Sequence, residues 1–324
     1  MAKLIKQINQ FLENITVTDR QEENIKSSLS NIEGYLEAKD NDLFVDYIFT
    51  NGSYERDTII RPLNDIDIFA VLKRGDWQDK YEMLPNPQYV LTVLKDYLNS
   101  LDDYKDKVIQ DRPCVTLQLS DKNFDILPSF EFGDGYWIPK YDLKDWVMSY
   151  PKQLTDSLNA VHRQRGYKVK QIIRGVKCWN RINGKIIPSY HIEEISINIF
   201  SVSSFGDYEE GIRYWFNNAE YNLQSSRFKN NQDYLDALAR IKKVRDKLNE
   251  AKKLNDEGKI EDAIKIWKDV FGREFPAIDI SDAKSFSKAL TDGSLKINAS
   301  GTLSAVTGNT ISASKGFFGD VSEK

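Results

Sequence analysis

Apolar positions along the first forty residues recur at helical spacing. Leu4, Ile5, Ile8, Phe11 and Leu12 share one face over 3–14, and Ile25, Leu29, Ile32 and Leu36 form a stripe over 19–39. Asp19 is the expected cap of the second helix. The period then shortens. FVDYIFT (44–50) and IDIFAVL (66–72) are short, β-branched and aromatic, which is the composition of strands. CVTLQL (114–119) and NFDILPSF (123–130) read the same way around an SDKN turn, and GDGYWIP (133–139) reads as a turn and a short strand. From Pro151 onward helical spacing returns in 151–161, 167–181, 187–202, 207–221, 231–254 and 258–270. Residues 277–324 lack Trp and Tyr and are rich in Ser, Thr, Gly and Ala. They are expected to form a loosely packed tail with one β-like stretch, SLKINAS. Strands and helices segregate along the chain, so the pattern predicts an α+β architecture rather than a doubly wound one.

Composition narrows the class. The 324 residues are 40% hydrophobic and 29% charged, with six Trp, sixteen Tyr and sixteen Phe, which suits a globular chain with a real core. The net charge of −4 gives no global attraction to nucleic acid or anionic lipid. The basic run RIKKVRDKLNEAKK (240–253) reads as the solvated face of an amphipathic helix. Cys114 and Cys178 are far apart and make no ligand pair, consistent with a reducing cytosol. The amphipathic start is not a signal peptide, and no apolar run is long enough to span a bilayer, so a cytoplasmic protein is expected.

The chemistry concentrates in NGSYERDTIIRPLNDIDIFAVL (51–72). Asp65 and Asp67 are two apart on a strand and therefore share a face, while Ile66 and Ile68 point to the other side and anchor the strand. Two like charges so placed repel, unless a cation lies between them. Hard divalent ions such as Mg²⁺ are held by one or two carboxylates together with substrate phosphates. Gly52 and Ser53 follow a strand directly, and a glycine-serine turn can bring amide N–H groups and a hydroxyl to phosphate oxygens. Asp125, inside NFDILPSF, supplies a third carboxylate from another strand. Three carboxylates opposite a phosphate-binding turn would make a two-metal phosphoryl-transfer site. Arg56 and Arg61 lie between the two halves and either neutralise phosphate or belong to a surface loop. Asp57, Asp121 and Asp134 read as loop residues, and His162 and His191 lack the spacing of a zinc site or a catalytic triad.

GS followed by DID and a later Asp resembles the polymerase-β-like nucleotidyltransferase superfamily. IIRGVKCWNRINGKIIPSYHIEEI (172–195) resembles the helical lobe of the cyclic-oligonucleotide synthases. These comprise the animal cyclic GMP–AMP synthase, the oligoadenylate synthases and the bacterial CD-NTases with their SMODS domain. FDILPSFEFGDGYWIP and IWKDVFGREFP (266–276) also look like CD-NTase signatures, so the resemblance covers roughly 1–276. It implies a two-lobed fold: a catalytic core with N-terminal helices over 1–150, a helical lobe over 151–276, and the tail over 277–324. It also implies roles. Asp65 and Asp67 would bind two Mg²⁺ ions (or Mn²⁺) and Asp125 the one that activates the attacking hydroxyl. Gly52 and Ser53 would hold the donor phosphates, Lys177 and Ser189 would reach the triphosphate from the helical lobe, and Tyr190 would stack on a base. On the residues alone, Lys177 could equally be a solvent lysine and Tyr190 an ordinary boundary tyrosine. Trp179 is expected in the core, and Glu193 is expected to orient its neighbours.

The implied activity is synthesis of a cyclic di- or oligonucleotide from NTPs, ATP among them, with pyrophosphate release and a downstream antiphage effector (CBASS). Without a Cys/His metal insertion, direct DNA activation is not expected, and a regulatory protein partner is an alternative switch. Two other readings stay open: a template-independent nucleotidyltransferase acting on RNA, protein or a small molecule, and a catalytically silent nucleotide-sensing scaffold.

Overall fold

Helix α1 (Ala2–Ile15) and helix α2 (Asp19–Leu36) form where the apolar stripes place them, but the start of α2 differs from expectation. Thr18, not Asp19, is the cap. The Thr18 side chain accepts from the Gln21 amide while the Gln21 side chain accepts from the Thr18 amide, a reciprocal capping box that leaves Asp19 in the first turn. The computed structural model describes residues 2–39, 41–63, 65–79 and 83–276, together with 294, 296–297, 303–304 and 309–310. Met1–Pro276 form one compact unit and Ala277–Lys324 a second.

In the first unit, β1 (Val45–Thr50), the helical turn α3 (Gly52–Glu55), β2 (Asp65–Leu72) and the short helix α4 (Arg74–Trp77) follow in order. Then come α5 (Pro87–Ser100), β3 (Val108–Asp111), β4 (Cys114–Gln118), β5 (Asn123–Phe132), β6 (Gly135–Pro139) and β7 (Trp146–Ser149). The strands form one sheet in the order β1-β2-β5-β4-β3, and the far end of β5 continues through β6 to β7. Only β2 and β5 run parallel. Period-two alternation gives this sheet two different faces. Ile66, Ile68, Ala70 and Leu72 of β2 and Phe124 and Ile126 of β5 are buried against α2 and α5 in the main core. On the other face Phe69, Val71 and Tyr136 gather Tyr47, Phe49 and Leu127 into a smaller aromatic cluster, with Phe49 and Phe69 stacked at 4.9 Å. The carboxylates share this second face.

Helices α6 (Pro151–Gln164), α7 (Val169–Ile182), α8 (Ser189–Val202), α9 (Tyr208–Asn222), α10 (Asn231–Asp256) and α11 (Ile260–Phe271) complete the unit. They match the six helical segments expected. Trp179, Trp215, Trp267 and Phe216 are all buried, Trp179 as anticipated. Helix α1 packs with this helical block, its Phe11 ring 4.9 Å from that of Phe271. The basic run on α10 lies where Ile241, Val244, Leu248 and Ala251 are buried and Lys247 pairs with Asp269 across to α11, so it is the polar face of an amphipathic helix.

The sequence pattern missed α4, α5, β3 and β7. For α5 a signal was present: Asn86 accepts from the Gln88 amide, Pro87 occupies the first turn, and Val90, Leu91, Leu94 and Leu98 line one face. Strands β3 and β7 have four residues each, too few to show a period. In the second unit, Lys296–Ile297 (β8) pairs antiparallel with Leu303–Ser304 (β9) and Asn309–Thr310 (β10), so part of SLKINAS is a strand. The expectation of a loosely packed tail otherwise falls outside the described residues.

Candidate active site

The site begins at the junction of β1 and β2. The Asn51 amide donates to the Asp67 carbonyl at 2.9 Å, which ties the residue before the glycine-serine turn to the strand of carboxylates. Gly52 has φ +66, a conformation that glycine adopts without cost. A Cβ there would stand 1.7 Å from Asp67 Oδ2. The turn and the carboxylate therefore touch, and no larger residue fits. The carbonyl of Ser53 then accepts from the amides of Thr58 and Ile59, at 2.8 and 3.0 Å, which closes the loop behind the turn.

Asp67 and Asp125 are direct cross-strand partners in the parallel β2–β5 register, and Asp65 is opposite Asn123. Asn123 Nδ2 donates to Asp65 at 3.0 Å, and Thr116 Oγ1 on β4 donates to Asp125 at 2.5 Å. Asp67 is pushed up to about 6 by burial and by the facing Asp125, against the pull of Arg56. Asp125 is raised too, chiefly by burial. Burial and neighbouring carboxylates thus disfavour ionisation of both groups, Asp125 acting on Asp67, and Asp65 and Asp111 on Asp125.

Among the described residues no group of three or more His, Cys, Asp or Glu side chains is already arranged to hold a metal ion. The donor chemistry nonetheless fits a hard divalent cation, since every candidate ligand is a carboxylate oxygen and the crowding of Asp67 and Asp125 is what a cation would relieve. Magnesium sites built on one or two carboxylates are completed by substrate phosphate and water rather than by a closed protein cage.

From the helical block, α7 and α8 bring their residues to the same place. A cavity of about 50 Å³ is lined by Ser53, Thr58, Lys177 and Ser189, together with Arg181 and Lys185. Residues 53, 177 and 189, distant in sequence, are thus brought together. Lys177 is not a solvent lysine. It is almost fully buried, donating to Glu193 Oε1 at 2.7 Å and to Thr58 Oγ1 at 2.8 Å. Arg56 is not in a surface loop either: its Nε donates to Glu193 Oε2 at 2.6 Å. Burial by itself would raise the Glu193 carboxyl, but Lys177 and Arg56 outweigh it and hold the group below its ordinary range. Burial lowers the Lys177 ammonium. Tyr190 is exposed at the lip of the helical block, with the Arg227 guanidinium 5.6 Å from its ring centroid.

A wider cleft of about 600 Å³ adjoins the turn. Tyr47, Phe49, Tyr136 and Asn51 line one side of it and Lys152 and Asn159 of α6 another. Other candidates fall away from the site. Asp57 pairs with Arg174, Arg61 donates to the Asn14 carbonyl, and Asp121 pairs with Lys122. The buried His191 accepts from the Gln224 amide at Nε2 and so donates from Nδ1 to Glu194, 2.9 Å away. Thr58 and Thr116 escaped sequence reasoning. A lone threonine carries no periodic signal, and its value here comes from which strand or loop faces it.

Residues 2–161 match the profile of the Second Messenger Oligonucleotide or Dinucleotide Synthetase (SMODS) domain. The chain is thus similar to the bacterial CD-NTases over the part that carries the turn and the three carboxylates. A probable cyclic nucleotide synthase of Bacillus cereus (strain VD146) is 27% identical over 269 residues, 70% of this chain and 81% of the relative. CdnC of E. coli MS115-1, solved with ATP, superposes with a TM-score of 0.68 at 18% identity, covering 84% of this chain and 99% of CdnC. The Vibrio cholerae cyclic AMP-GMP synthase DncV, solved with the linear intermediate 5′ pppA(3′,5′)pG, gives 0.66 at 13% identity, covering 84% and 96%. At such identities these structures speak for the fold: the two-lobed nucleotidyltransferase architecture of the family, with its mixed sheet and helical lobe.

Proposed function

We propose that this chain is a CD-NTase that joins NTPs into a cyclic di- or oligonucleotide, releasing pyrophosphate, and that the product is a second messenger in antiphage (CBASS) signalling. The observation that carries this reading is the pairing of Asp67 with Asp125 across β2 and β5, directly against the Gly52–Ser53 turn. The relatives' names supply the cyclic product: the Bacillus protein is a probable cyclic nucleotide synthase and DncV makes cyclic AMP-GMP.

In this reading residues 1–150 are the catalytic core with its N-terminal helices, and 151–276 the helical lobe. Asp65, Asp67 and Asp125 would hold two Mg²⁺ ions, or Mn²⁺ in their place. When bound, the ions supply activation of the attacking ribose hydroxyl and neutralisation of the leaving pyrophosphate. The chain's own residues do the rest. Gly52 and Ser53 seat the donor phosphates, Lys177 and Ser189 approach them from the helical lobe, and the aromatic cleft beside the turn takes a nucleoside. Tyr190 offers a face for a base. The hydroxyl oxygen bonds to the α-phosphorus as the bond to the β-phosphate oxygen breaks. A second transfer within the linear product closes the ring. No covalent bond to the protein forms.

CdnC has also been solved in complex with HORMA-deltaN, which supports a regulatory protein partner for this chain. No helix among the described residues is long and apolar enough to cross a membrane, in keeping with a cytoplasmic enzyme. The test is incubation with each NTP pair and Mg²⁺ or Mn²⁺, phosphatase treatment and mass spectrometry. A phosphatase-resistant cyclic species is expected. Linear chains alone would point to transfer onto an open acceptor, and binding without pyrophosphate release would leave a nucleotide-sensing scaffold.

A further inference from the structure

The cluster around Glu193 links the sheet block to the helices through one buried carboxylate. Glu193 is fully buried on α8 and accepts three hydrogen bonds from groups on two separate segments. Arg56 Nε, just after the phosphate turn, donates to Oε2 at 2.6 Å, and Thr58 Oγ1 donates to Oε1 at 2.5 Å. Lys177 Nζ on α7 donates to the same Oε1 at 2.7 Å and also to Thr58. The loop carrying Arg56 and Thr58 is the one whose amides close onto the Ser53 carbonyl. One carboxylate therefore fixes the phosphate turn of the sheet block to the helix carrying the lysine. It also cancels one of the two positive charges behind that turn.

We propose that Glu193 is a positioning residue for nucleotidyl transfer. It holds Lys177 and Arg56 at one place each across the two lobes, and it subtracts from their attraction for the resting triphosphate. The inference rests on the functional reading above. Its physical content is a division between binding and rate. Two cations free of their counter-charge attract the whole polyanion more strongly, yet attraction felt equally by ground state and transition state does not speed the chemical step. Cations that wander by about 1 Å lose the alignment on which the rate depends. A glutamine offers one acceptor and one donor where glutamate offers two acceptors, so in Glu193→Gln either Arg56 or the Lys177–Thr58 pair meets an N–H instead of an oxygen.

The experiment compares wild type, Glu193→Gln and Thr58→Val. ATP and AMP binding are measured by calorimetry in EDTA, and pyrophosphate release is measured with Mg²⁺. For Glu193→Gln the expected result is ATP affinity unchanged or up to tenfold tighter, AMP affinity within twofold of wild type, and turnover at least tenfold slower. Thr58→Val, which keeps every charge and the shape of the side chain, is expected to bind ATP within twofold and turn over about fivefold slower. It keeps the test alive should the glutamine variant not fold. A purely structural role gives weaker binding of both ATP and AMP in parallel with lost turnover, and that result overturns the proposal. So does unchanged turnover in both variants, or a loss of ATP affinity in the variant that has shed a negative charge. If wild type binds ATP and releases no pyrophosphate, the functional reading fails and this inference with it. If wild type turns over and the variants match it, only the positioning role is lost.

Discussion

Two groups of charged side chains lie within this site, and they are handled in opposite ways. Around Glu193 opposite charges meet, two cations on one carboxylate: a side chain with no exposed surface accepts from a lysine, an arginine and a threonine at 2.5 to 2.7 Å. At the edge of β2 and β5 the charges are alike. Asp67 faces Asp125 across the strands, and burial with that neighbour lifts Asp67 to about 6. A buried pair with opposite signs can hold structure together, whereas a crowded pair of the same sign is a standing cost that only a cation or a proton relieves. In the proposed reading, the contrast separates the part of the site that fixes geometry from the part prepared for ligand.

The largest expected effect strikes the like-charged group. Asp65→Asn combined with Asp67→Asn should lower pyrophosphate release by at least about a thousandfold, since electrostatic stabilisation is the dominant catalytic contribution such a site makes. Circular dichroism should show the fold unchanged, and wild-type turnover in that variant would end the two-metal reading. Next in size is the opposite-charged group. Glu193→Ala leaves Lys177 and Arg56 buried without their counter-charge and should cost about 3–5 kcal/mol in urea unfolding, the usual result of breaking one half of a buried pair.

A third prediction turns the comparison around, because removing charge at the other group should stabilise. The folded-state value of Asp67, about 6, lies above its ordinary 3.8. The folded protein therefore holds the proton more tightly than the unfolded chain does. The stabilisation from that proton is full below about pH 4 and is lost as pH rises through about 6. Metal-free Asp67→Asn should accordingly be more stable than wild type at pH 7.5 by about 1–3 kcal/mol, with the difference shrinking toward pH 4. Mg²⁺ should raise the wild-type melting temperature more at pH 7.5 than at pH 5. Equal stability of the two proteins across that range would show that the carboxylates do not crowd each other. The smallest effect belongs to Thr116→Val, which removes only the hydroxyl donating to Asp125 and should slow turnover by about threefold through a less firmly held carboxylate.

The like-charged group is legible in the sequence. Asp65 and Asp67 share a strand face by period alone, the Gly52–Ser53 turn follows a strand directly, and Asp125 is flanked by apolar neighbours that mark its own strand. The oppositely charged group is not. Arg56 fits a surface loop as well as a phosphate contact, and Lys177 fits an exposed helix face, because sequence does not say which side of a helix another lobe will cover. Thr58 joins Arg56, Lys177 and Glu193 only through a loop closing on the Ser53 carbonyl. The same limit explains α5: its cap and stripe are present in the chain, but its place beneath β3, β4 and β5 depends on packing.

By itself, then, the sequence determined the local terms. Helical and strand periods, the glycine at a position where φ must be positive, and the spacing of the two aspartates depend on neighbours within a few residues. Only the tertiary structure decided that Asp67 would face Asp125 in parallel register, and that Glu193 would be satisfied by donors 16, 135 and 137 residues away. Bringing like charges together, and burying opposite ones, both sacrifice solvation. Whether that loss is offset depends on contacts between segments that no local pattern encodes.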